Sequence, residues 1–255
     1  MTALLVDIGN TRIKWARFDG DRIGRQHAAV HSDWSVEDYA RHVIGSGRDL
    51  GRIVVASVAS PRVNKKLATA ARRTGVAAPE FVASRRTAGG VTVGYLEPWR
   101  LGVDRFVAAI GAHHLFKKKA VCVIGVGTAM TIDLVGPDGR HWGGAIIPAP
   151  GLMVDTLLKN TNGIRRRAQG GAAGRGNGLF GHSTRAGILQ GSRYAAAAII
   201  DRAAAEARDL LGRTPVVVLT GGEAPAVQPL VRSTSVSVPD LVLKGLAVLS
   251  EASGS

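Results

Sequence analysis

Cysteine is almost absent from this sequence. Cys122 is the only one in 255 residues, which excludes an internal disulfide and a cysteine-rich metal site, and its apolar neighbours predict simple burial. No apolar run approaches the ~18 residues that a membrane-spanning helix needs. The N-terminus lacks the basic region and apolar core of a secretory signal. We therefore expect a soluble, cytoplasmic protein with no membrane segment.

Acidic residues are also scarce, with 19 Asp and Glu against 33 Lys and Arg, and the net charge is +14. Such a charge suits nucleic acid, an acidic membrane surface or an anionic substrate. Much of it lies at residues 116–120 and in the Gly- and Arg-rich stretch 164–178, for which we predict a loop. That stretch has no aromatic residue for base stacking, and no helix-turn-helix or finger pattern occurs. We therefore expect no nucleic-acid partner, and we assign the basic loop no specific role.

The predicted elements occur in the same order in both halves of the chain. Apolar alternation predicts three strands within residues 3–29, followed by alternating helices and strands. Three strands within residues 121–147 open the second half in the same way, and an Asp-Gly turn follows the first pair of strands in each half, at residues 19–20 and 138–139. The repetition predicts two mixed α/β halves with a cleft between them.

Each half opens with a glycine turn between two strands, "VDIGNT" at residues 6–11 and "IGVGTAMTID" at 124–133. Glycine lets a phosphate approach the backbone, and the neighbouring amide and hydroxyl side chains are donors. Asp7 at the strand end suits hydrated Mg²⁺, and Lys14 on the second strand adds positive charge. An ordinary hairpin turn has the same composition. Two such turns facing one cleft nevertheless suit a nucleotide.

Six motifs together resemble a known family. In this order, "DIGNTRIK", "YLEPWRLGVDR", "GTAMTID", "GGAIIP", "FGHST" and "LTGGEA" are similar to the successive motifs of type III pantothenate kinases, members of the acetate and sugar kinase, heat-shock ATPase and actin superfamily. The resemblance spans Asp7 to about Gly245. It implies an α/β fold of two duplicated ribonuclease H-like (actin-like ATPase) domains, residues 1–116 and 117–255, with a nucleotide cleft between them.

The resemblance also implies an activity, the ATP-dependent phosphorylation of pantothenate to 4′-phosphopantothenate in the first step of coenzyme A biosynthesis. It implies ATP with Mg²⁺, a monovalent cation (K⁺ or NH₄⁺) and a homodimer. The positions that match ATP contacts are Asp7, Ile8, Gly9, Asn10, Thr11, Arg12, Ile13, Lys14 and Thr128. The positions that match pantothenate contacts are Tyr95, Gly102, Val103, Asp104, Arg105 and Thr184. Asp104 matches the catalytic carboxylate, and Asp7 is expected to meet Mg²⁺ through the phosphates.

The chemistry of two motifs agrees with these roles. Transfer of a phosphoryl group to a primary hydroxyl needs a carboxylate such as Asp104 to accept or orient the proton, and Arg105 beside it can meet an anion. A helix start with Asp near its N-terminus gives the same "GVDR" pattern. The paired glycines of "LTGGEA" allow a ring or phosphate to approach, as in the adenosine turn of this superfamily, although a tight connection has the same pattern.

Two features depart from the family pattern. Gly125 stands where the family usually has an aspartate associated with K⁺, so we expect a weakened response to K⁺. The segment "IIPAPGL" is longer than the proline-glycine turn of the family. Gly125 and the basic charge leave open an alternative, a catalytically weakened relative acting as an accessory transcriptional regulator. Another small-molecule kinase of the superfamily is a third alternative, against which "YLEPWRLGVDR" argues.

Overall fold

The computed structural model describes residues 2–47, 49–169 and 176–252. These residues pack as two compact units. The first unit contains the described residues up to Lys118, the segment Pro137–Gly143 and the described residues from Asp240 onward. The second contains Lys119–Gly136 and the described part of Gly144–Pro239. The predicted division into domains 1–116 and 117–255 stays a prediction.

The first unit is built around a five-stranded sheet. Its elements in chain order are β1 (Thr2–Ile8), β2 (Arg12–Phe18), β3 (His27–Val30), α1 (Val36–Asp38) with a π-helical continuation (Tyr39–Ile44), β4 (Leu50–Ser57), α2 (Pro61–Arg73), β5 (Glu80–Phe81), β6 (Thr87–Ala88), β7 (Val91–Thr92), a 3₁₀ turn (Pro98–Arg100) and α3 (Val103–Leu115). The strand order is β3-β2-β1-β4-β5. The first three strands are antiparallel, whereas β4 runs parallel to β1 and β5 to β4.

The second unit is built around a second five-stranded sheet. Its elements in chain order are β8 (Val121–Val126), β9 (Ala129–Val135), β10 (His141–Pro148), α4 (Pro150–Asn160), α5 (Asn162–Ala168), β11 (Gly176–Asn177), β12 (Phe180–Gly181), α6 (Thr184–Leu211), β13 (Val216–Thr220), α7 (Ala224–Val227), a 3₁₀ turn (Gln228–Leu230) and β14 (Ser235–Ser237). The first three residues of β10, His141 to Gly143, are counted with the first unit. The strand order is β10-β9-β8-β13-β14. β9 is antiparallel to β8, whereas β13 is parallel to β8 and β14 to β13.

The two sheets therefore have the same strand order, and the strand directions match in every pair described for both. This repeated arrangement confirms the predicted fold class, an α/β fold of duplicated ribonuclease H-like domains. Apolar side chains fill each unit: β1 and β4 contribute Leu4, Val6, Ile53 and Val55 to one core, while β8 and β13 supply another. Cys122 is part of that second core, and burial raises the pKa of its thiol to about 12.

The last helix, α8 (Leu241–Ala252), belongs to the first unit and packs against α3. Two glycines make the contact close: a Cβ on Gly245 would lie 2.0 Å from the Val107 carbonyl oxygen, and one on Gly111 would lie 2.5 Å from that of Leu241. Side chains at either position would push the helices apart. No helix within the described residues combines the length and the apolar character that a membrane crossing requires.

The prediction of a loop at residues 164–178 is wrong in its first part, because Asn162–Ala168 forms α5. Arginine and alanine are good helix formers, and the glycines that suggested a loop begin only after the helix has ended. Residues 170–175 of the predicted loop lie outside the described residues, and Gly176 and Asn177 pair with β12 as β11.

Candidate active site

The first glycine turn joins β1 to β2, as predicted. The Gly9 amide donates a hydrogen bond to the Arg12 carbonyl at 2.9 Å, which closes the turn. Ile8 and Ile13 pair across the strands and are fully buried, so their side chains anchor the turn in the core and leave only their backbone groups for a nucleotide. The predicted phosphate contacts Asn10, Thr11 and Arg12 are exposed.

Asp7 is a half-buried carboxylate one step before this turn. It pairs with Lys14 in the antiparallel register, so both side chains project from the same face of the sheet. Desolvation raises the pKa of Asp7 from 3.8 to about 6, Lys14 lowers it, and the charge of Asp104 raises it further. Asp7 therefore interacts with Lys14 on the neighbouring strand and with Asp104, which is distant in the sequence.

Asp104 lies in the first turn of α3, which begins after Gly102. Its Oδ1 accepts a hydrogen bond from the Arg105 backbone amide at 2.8 Å. The N-terminal end of a helix favours negative charge, so this location stabilises the ionised carboxylate. The helix-start interpretation of "GVDR" is confirmed. The catalytic interpretation stays a prediction and is compatible with it, since a base must be ionised to accept a proton.

The residue after Asp104 is a buried arginine, Arg105, whose guanidinium lies beside an aromatic ring. Arg105 is only 6% exposed, and its Nη1 donates to the Tyr95 hydroxyl at 3.1 Å. The Arg105 guanidinium carbon lies 5.8 Å from the centroid of the Tyr95 ring, whose other neighbour is the His141 ring at 5.7 Å. The first unit thus brings together Tyr95, Asp104 and Arg105, which the sequence assigned to one substrate site, and adds His141.

In the second unit, the "LTGGEA" turn packs directly on the second glycine turn. Gly221 has a φ of +101°, and a Cβ there would lie 2.3 Å from the Val126 carbonyl oxygen, so only glycine fits. The same oxygen accepts a hydrogen bond from the Glu223 amide at 3.0 Å. The turn that contains Thr128 and the predicted adenosine turn therefore form one continuous backbone surface.

The N-terminus of α4 completes this part of the second unit. The Thr128 carbonyl accepts from the Ala149 amide at 3.4 Å, and the Glu223 carboxylate accepts from the Gly151 amide at 3.0 Å. Pro150 occupies the first turn of the helix, where its missing N–H costs nothing. The lengthened "IIPAPGL" segment thus begins a helix whose amide end carries a carboxylate.

Gly125 lies opposite Thr131 in the register of β8 and β9. A Cβ on Gly125 would lie 2.8 Å from the Thr131 Oγ1, so the threonine hydroxyl lies where a longer side chain would have to pass. A buried carboxylate, Asp133, follows two positions along β9 on the same face. Gly125 itself has no side-chain oxygen, so a cation here would have to be held by backbone carbonyls or by neighbouring side chains; the K⁺ site stays a prediction.

Thr184, the remaining predicted pantothenate contact, is the first residue of α6 in the second unit. Ser183 caps this helix by accepting a hydrogen bond from the Ala186 amide at 3.1 Å. The participation of Thr184 in the same site as Tyr95 and Asp104 stays a prediction, as does the cleft between the two halves.

Sequence reasoning missed two side chains that hold these loops. His31, 3% exposed, contacts the Gly9 carbonyl oxygen through Nε2 and the Tyr39 hydroxyl through Nδ1, both at 2.9 Å. Arg86 donates to the backbone carbonyl oxygens of Val93, Tyr95 and Leu96 at 2.8–2.9 Å. Neither residue lies in a motif, and a donor that meets backbone carbonyls leaves no pattern in the sequence.

The carboxylates of the first unit fit a nucleotide-bound Mg²⁺. No group of three or more His, Cys, Asp or Glu side chains within the described ranges could hold a metal ion alone. Mg²⁺ in kinases needs only one or two carboxylates, because phosphate oxygens and waters supply the other ligands. Asp7, whose pKa is raised by burial and by the charge of Asp104, is a carboxylate that a bound cation would stabilise.

The duplicated sheets and glycine turns define the class of protein, an actin-like ATPase fold used by sugar kinases. A Streptomyces griseus ROK family glucokinase, solved with glucose and AMPPNP, has a TM-score of 0.52 at 12% identity, covering 97% of this chain and 98% of that one. A Campylobacter jejuni protein described as a Baf family transcriptional activator has a TM-score of 0.60 at 15% identity, with 99% and 100% covered. At such identities, these likenesses show the fold alone.

The family follows from sequence similarity. The family model described as type III pantothenate kinase matches residues 3–206. A Nitrosococcus oceani protein named type III pantothenate kinase is 35% identical over 248 residues, which cover 96% of this chain and 92% of the relative. The chain therefore belongs to the type III pantothenate kinase family, and the predicted resemblance is confirmed.

Proposed function

We propose that this chain transfers the γ-phosphoryl group of ATP to the terminal hydroxyl of pantothenate, forming 4′-phosphopantothenate in the first step of coenzyme A biosynthesis. Family membership supports the reaction. The observation that carries the residue roles is the pairing of Asp7 with Lys14 across β1 and β2, at a place where burial and the charge of Asp104 raise the pKa of Asp7. Phosphoryl transfer depends on positioning and charge neutralisation, for which a metal-binding carboxylate, a base and a cation must lie close together.

Asp104 is the proposed catalytic residue. The pantothenate hydroxyl oxygen forms a bond to the γ-phosphorus while its proton passes to the Asp104 carboxylate. The bond from the γ-phosphorus to the bridging oxygen breaks, and ADP leaves with that electron pair. The N-terminus of α3 supports this role, because it stabilises the ionised carboxylate before the transfer.

The residues proposed to contact ATP are 7–14 in the first unit and, in the second unit, Thr128 and the glycine turn at 221–222. Backbone amides in such turns bind phosphate oxygens, and Lys14 adds positive charge. Asp7 would hold Mg²⁺ through its carboxylate. When bound, Mg²⁺ neutralises charge on the phosphates that are transferred and released.

The proposed pantothenate site uses Tyr95, the segment 102–105 and Thr184. Pantothenate carries a carboxylate, and the buried Arg105 guanidinium is the group best suited to pair with it, since a planar donor fork matches two carboxylate oxygens. The Tyr95 hydroxyl, which already accepts a hydrogen bond from Arg105, fixes the direction of that fork. This arrangement orients the substrate with its hydroxyl towards Asp104.

We also propose a homodimer and a weakened requirement for a monovalent cation. The dimer is an expectation from the family, and light scattering with size-exclusion chromatography tests it. The cation expectation rests on Gly125, which has no side-chain oxygen to offer. The alternative of an accessory transcriptional regulator is not favoured, because the family match and the named relatives point to the kinase.

Substitution of Asp104 tests the proposal. Pantothenate-dependent ADP release should fall by roughly 10²- to 10⁴-fold in Asp104→Asn, because an amide keeps the shape but cannot accept the proton. Asp19→Asn is the matched control: Asp19 is an exposed carboxylate of the same unit that also accepts backbone hydrogen bonds, and its loss should leave turnover unchanged. Thermal unfolding verifies that both variants fold. Turnover above half the native value in Asp104→Asn would reject the assigned role.

A further inference from the structure

In the first unit, His31 makes both aromatic contacts and hydrogen bonds. Its ring lies in an aromatic cluster with Trp34 and Tyr39, at centroid distances of 6.5 and 6.3 Å. Its own backbone amide donates to the Thr11 carbonyl at 3.3 Å, and its Nε2 contacts the Gly9 carbonyl oxygen at 2.9 Å. One residue therefore binds the carbonyl groups of both Gly9 and Thr11.

The hydrogen-bond partners determine where the His31 proton lies. A carbonyl oxygen only accepts, so Nε2 carries the proton and donates to Gly9. In the neutral ring, Nδ1 then accepts from the Tyr39 hydroxyl at 2.9 Å. Burial raises the pKa of Tyr39 to about 12, so this hydroxyl keeps its proton. Tyr39, His31 and the Gly9 carbonyl form a chain of donors that ends at the turn.

The position of the Gly9 carbonyl decides where the next amide points. The peptide bonds of the described residues are trans, and in a trans peptide the C=O and N–H groups point in opposite directions. The Gly9 carbonyl points to a buried ring, so the Asn10 amide of the same peptide unit points away from the interior. Rotation of this unit would present a carbonyl oxygen, which repels phosphate, in place of the donor.

We propose that His31 is a positioning residue for the ATP site, holding the Gly9–Asn10 peptide so that its amide faces the phosphates. The inference rests on the proposed function only in assigning the turn to ATP. Apolar side chains at His31 and Tyr39 would fill the same space without two buried polar groups to satisfy. The polar pair therefore contributes orientation of the turn rather than packing alone.

Two polar substitutions separate positioning from packing. Glutamine reaches the place of Nε2 with an N–H donor, whereas asparagine reaches only the place of Nδ1. We expect His31→Gln to bind Mg·ADP with near-native affinity, and His31→Asn to bind it about 3- to 10-fold more weakly, the effect of one lost hydrogen bond. Isothermal titration without pantothenate measures both. His42→Leu, which changes another ring in contact with Trp34, is the matched control and should bind normally.

The outcomes are distinct. Equal Mg·ADP affinities of the His31→Gln and His31→Asn variants would overturn the inference. A raised KM for pantothenate in these variants, with native Mg·ADP affinity, would overturn it as well. A native chain that bound no Mg·ADP would overturn the inference together with the nucleotide part of the proposed function. If the native chain bound Mg·ADP but did not phosphorylate pantothenate, with the Gln and Asn difference intact, the proposed substrate would be wrong and the inference would stand.

A second observation concerns the substrate side. The Arg86 guanidinium donates to three carbonyl groups of the loop before α3, those of Val93, Tyr95 and Leu96. The Arg86 carbonyl also accepts from the Val93 amide at 2.9 Å. A planar fork can satisfy several acceptors at fixed angles, which a lysine ammonium cannot reproduce. We infer that Arg86 positions Tyr95 for pantothenate, an inference that also rests on the proposed function.

Neighbouring arginines provide the control for Arg86. Arg86→Ala and Arg85→Ala remove the same charge from adjacent exposed positions, so non-specific attraction of the anionic substrate changes equally. We expect Arg86→Ala to raise the KM for pantothenate about 3- to 10-fold without altering Mg·ADP affinity. Arg86→Lys should have a KM for pantothenate close to that of Arg86→Ala, because an ammonium cannot replace the planar fork. Equal KM values for pantothenate in the two alanine variants would overturn the inference that Arg86 positions Tyr95. Absence of pantothenate turnover in the native chain would instead reject the proposed function.

Discussion

The turns that open the two sheets are both closed by a glycine amide, but they differ in length by one residue and in their chemistry. The Gly9 amide donates to Arg12 at 2.9 Å, and the Gly127 amide donates to Ala129 at 3.1 Å. One step before each turn, the first sheet pairs Asp7 with Lys14, whereas the second pairs Gly125 with Thr131. Both halves thus have an apolar strand and a turn closed by a glycine amide, but the second turn is one residue shorter and only the first has a charged pair before it.

This difference separates what folding requires from what the reaction requires. Ile8 and Val126 occupy equivalent places and are fully buried, so the fold needs an apolar residue there. The fold does not need Asp7, whose carboxylate is disfavoured by desolvation and by the charge of Asp104. A charge retained where it destabilises the protein is a mark of a functional site.

The largest effect that tests this comparison is on turnover. Asp7→Ala should lower pantothenate phosphorylation on the order of 10²- to 10³-fold, because Mg²⁺ and the phosphates lose a charge that positions them. Thr131→Ala, at the place equivalent to Lys14 in the second sheet, should change turnover far less. Titration with Mg²⁺ measures the metal requirement of each variant. A normal turnover with an unchanged requirement in Asp7→Ala would remove Asp7 from the metal site.

The second effect is on stability and has the opposite sign. The pKa of Asp7 is about 6 in the folded chain and near 3.8 in the unfolded one, so ionisation above about pH 6 opposes folding, and this cost disappears as the pH falls towards 4. Asp7→Asn never ionises. At pH 7.5 in EDTA, its free energy of unfolding should exceed the native value by at most about 3 kcal/mol, the equivalent of two pKa units.

Urea unfolding at several pH values measures this difference. The gap between Asp7→Asn and the native chain should shrink between about pH 6 and pH 4, because the folded native chain then takes up the proton at Asp7 while the unfolded chain is still ionised there. A variant less stable than the native chain at pH 7.5 would mean that the attraction of Lys14 outweighs desolvation.

Much of the fold could be predicted because its signals are local. Apolar alternation and the residues at element ends located β1, β2 and α2 within one or two positions. The helix α5 was predicted as part of a loop because the stretch 164–178 is rich in glycine and arginine. The glycines of that stretch begin at residue 170, after α5 has ended at Ala168. The return of α8 to the first unit had no local signal, since it depends on two glycines that meet only in the folded chain.

Site residues could be proposed from the sequence where a side chain itself would do the chemistry. Asp7 and Asp104 stand in motifs whose residue types follow from phosphoryl transfer, and the folded chain makes them interact. His31 and Arg86 bind backbone carbonyl groups. Because every residue has such a group, the identity of the accepting residue gives no sign of the contact in the sequence. Supporting contacts of this kind require the tertiary structure.

Glu223 provides a smaller test within the second unit. That unit has no carboxylate at the end of β8, but the Glu223 carboxylate accepts the Gly151 amide at the start of α4. Glu223→Ala should lower the free energy of unfolding by about 1–2 kcal/mol, because the amide loses a charged acceptor. Glu223→Gln keeps an acceptor oxygen and should lose less, as measured by urea unfolding. Equal losses in both variants would mean that only the charge matters.

The smallest expected effect concerns Gly125, where the two turns differ most directly. An aspartate there would restore the missing charged oxygen, but its Cβ would lie 2.8 Å from the Thr131 Oγ1, so the threonine side chain must rotate away. We expect Gly125→Asp to lose about 1 kcal/mol of stability from this crowding. We also expect it to gain a saturable response to K⁺, because one hard oxygen ligand is added.

Gly125→Asn is the matched control, since it crowds Thr131 equally without adding charge. Turnover is measured against KCl with choline chloride holding the ionic strength constant, so that general screening does not differ between conditions. The native chain and Gly125→Asn should respond weakly, and Gly125→Asp several-fold more strongly, since one charged ligand distinguishes them. Strong, saturable activation of the native chain by K⁺ would show that backbone carbonyls or a partner subunit already provide the ligands. The chemical difference between the two turns would then have no consequence for the cation.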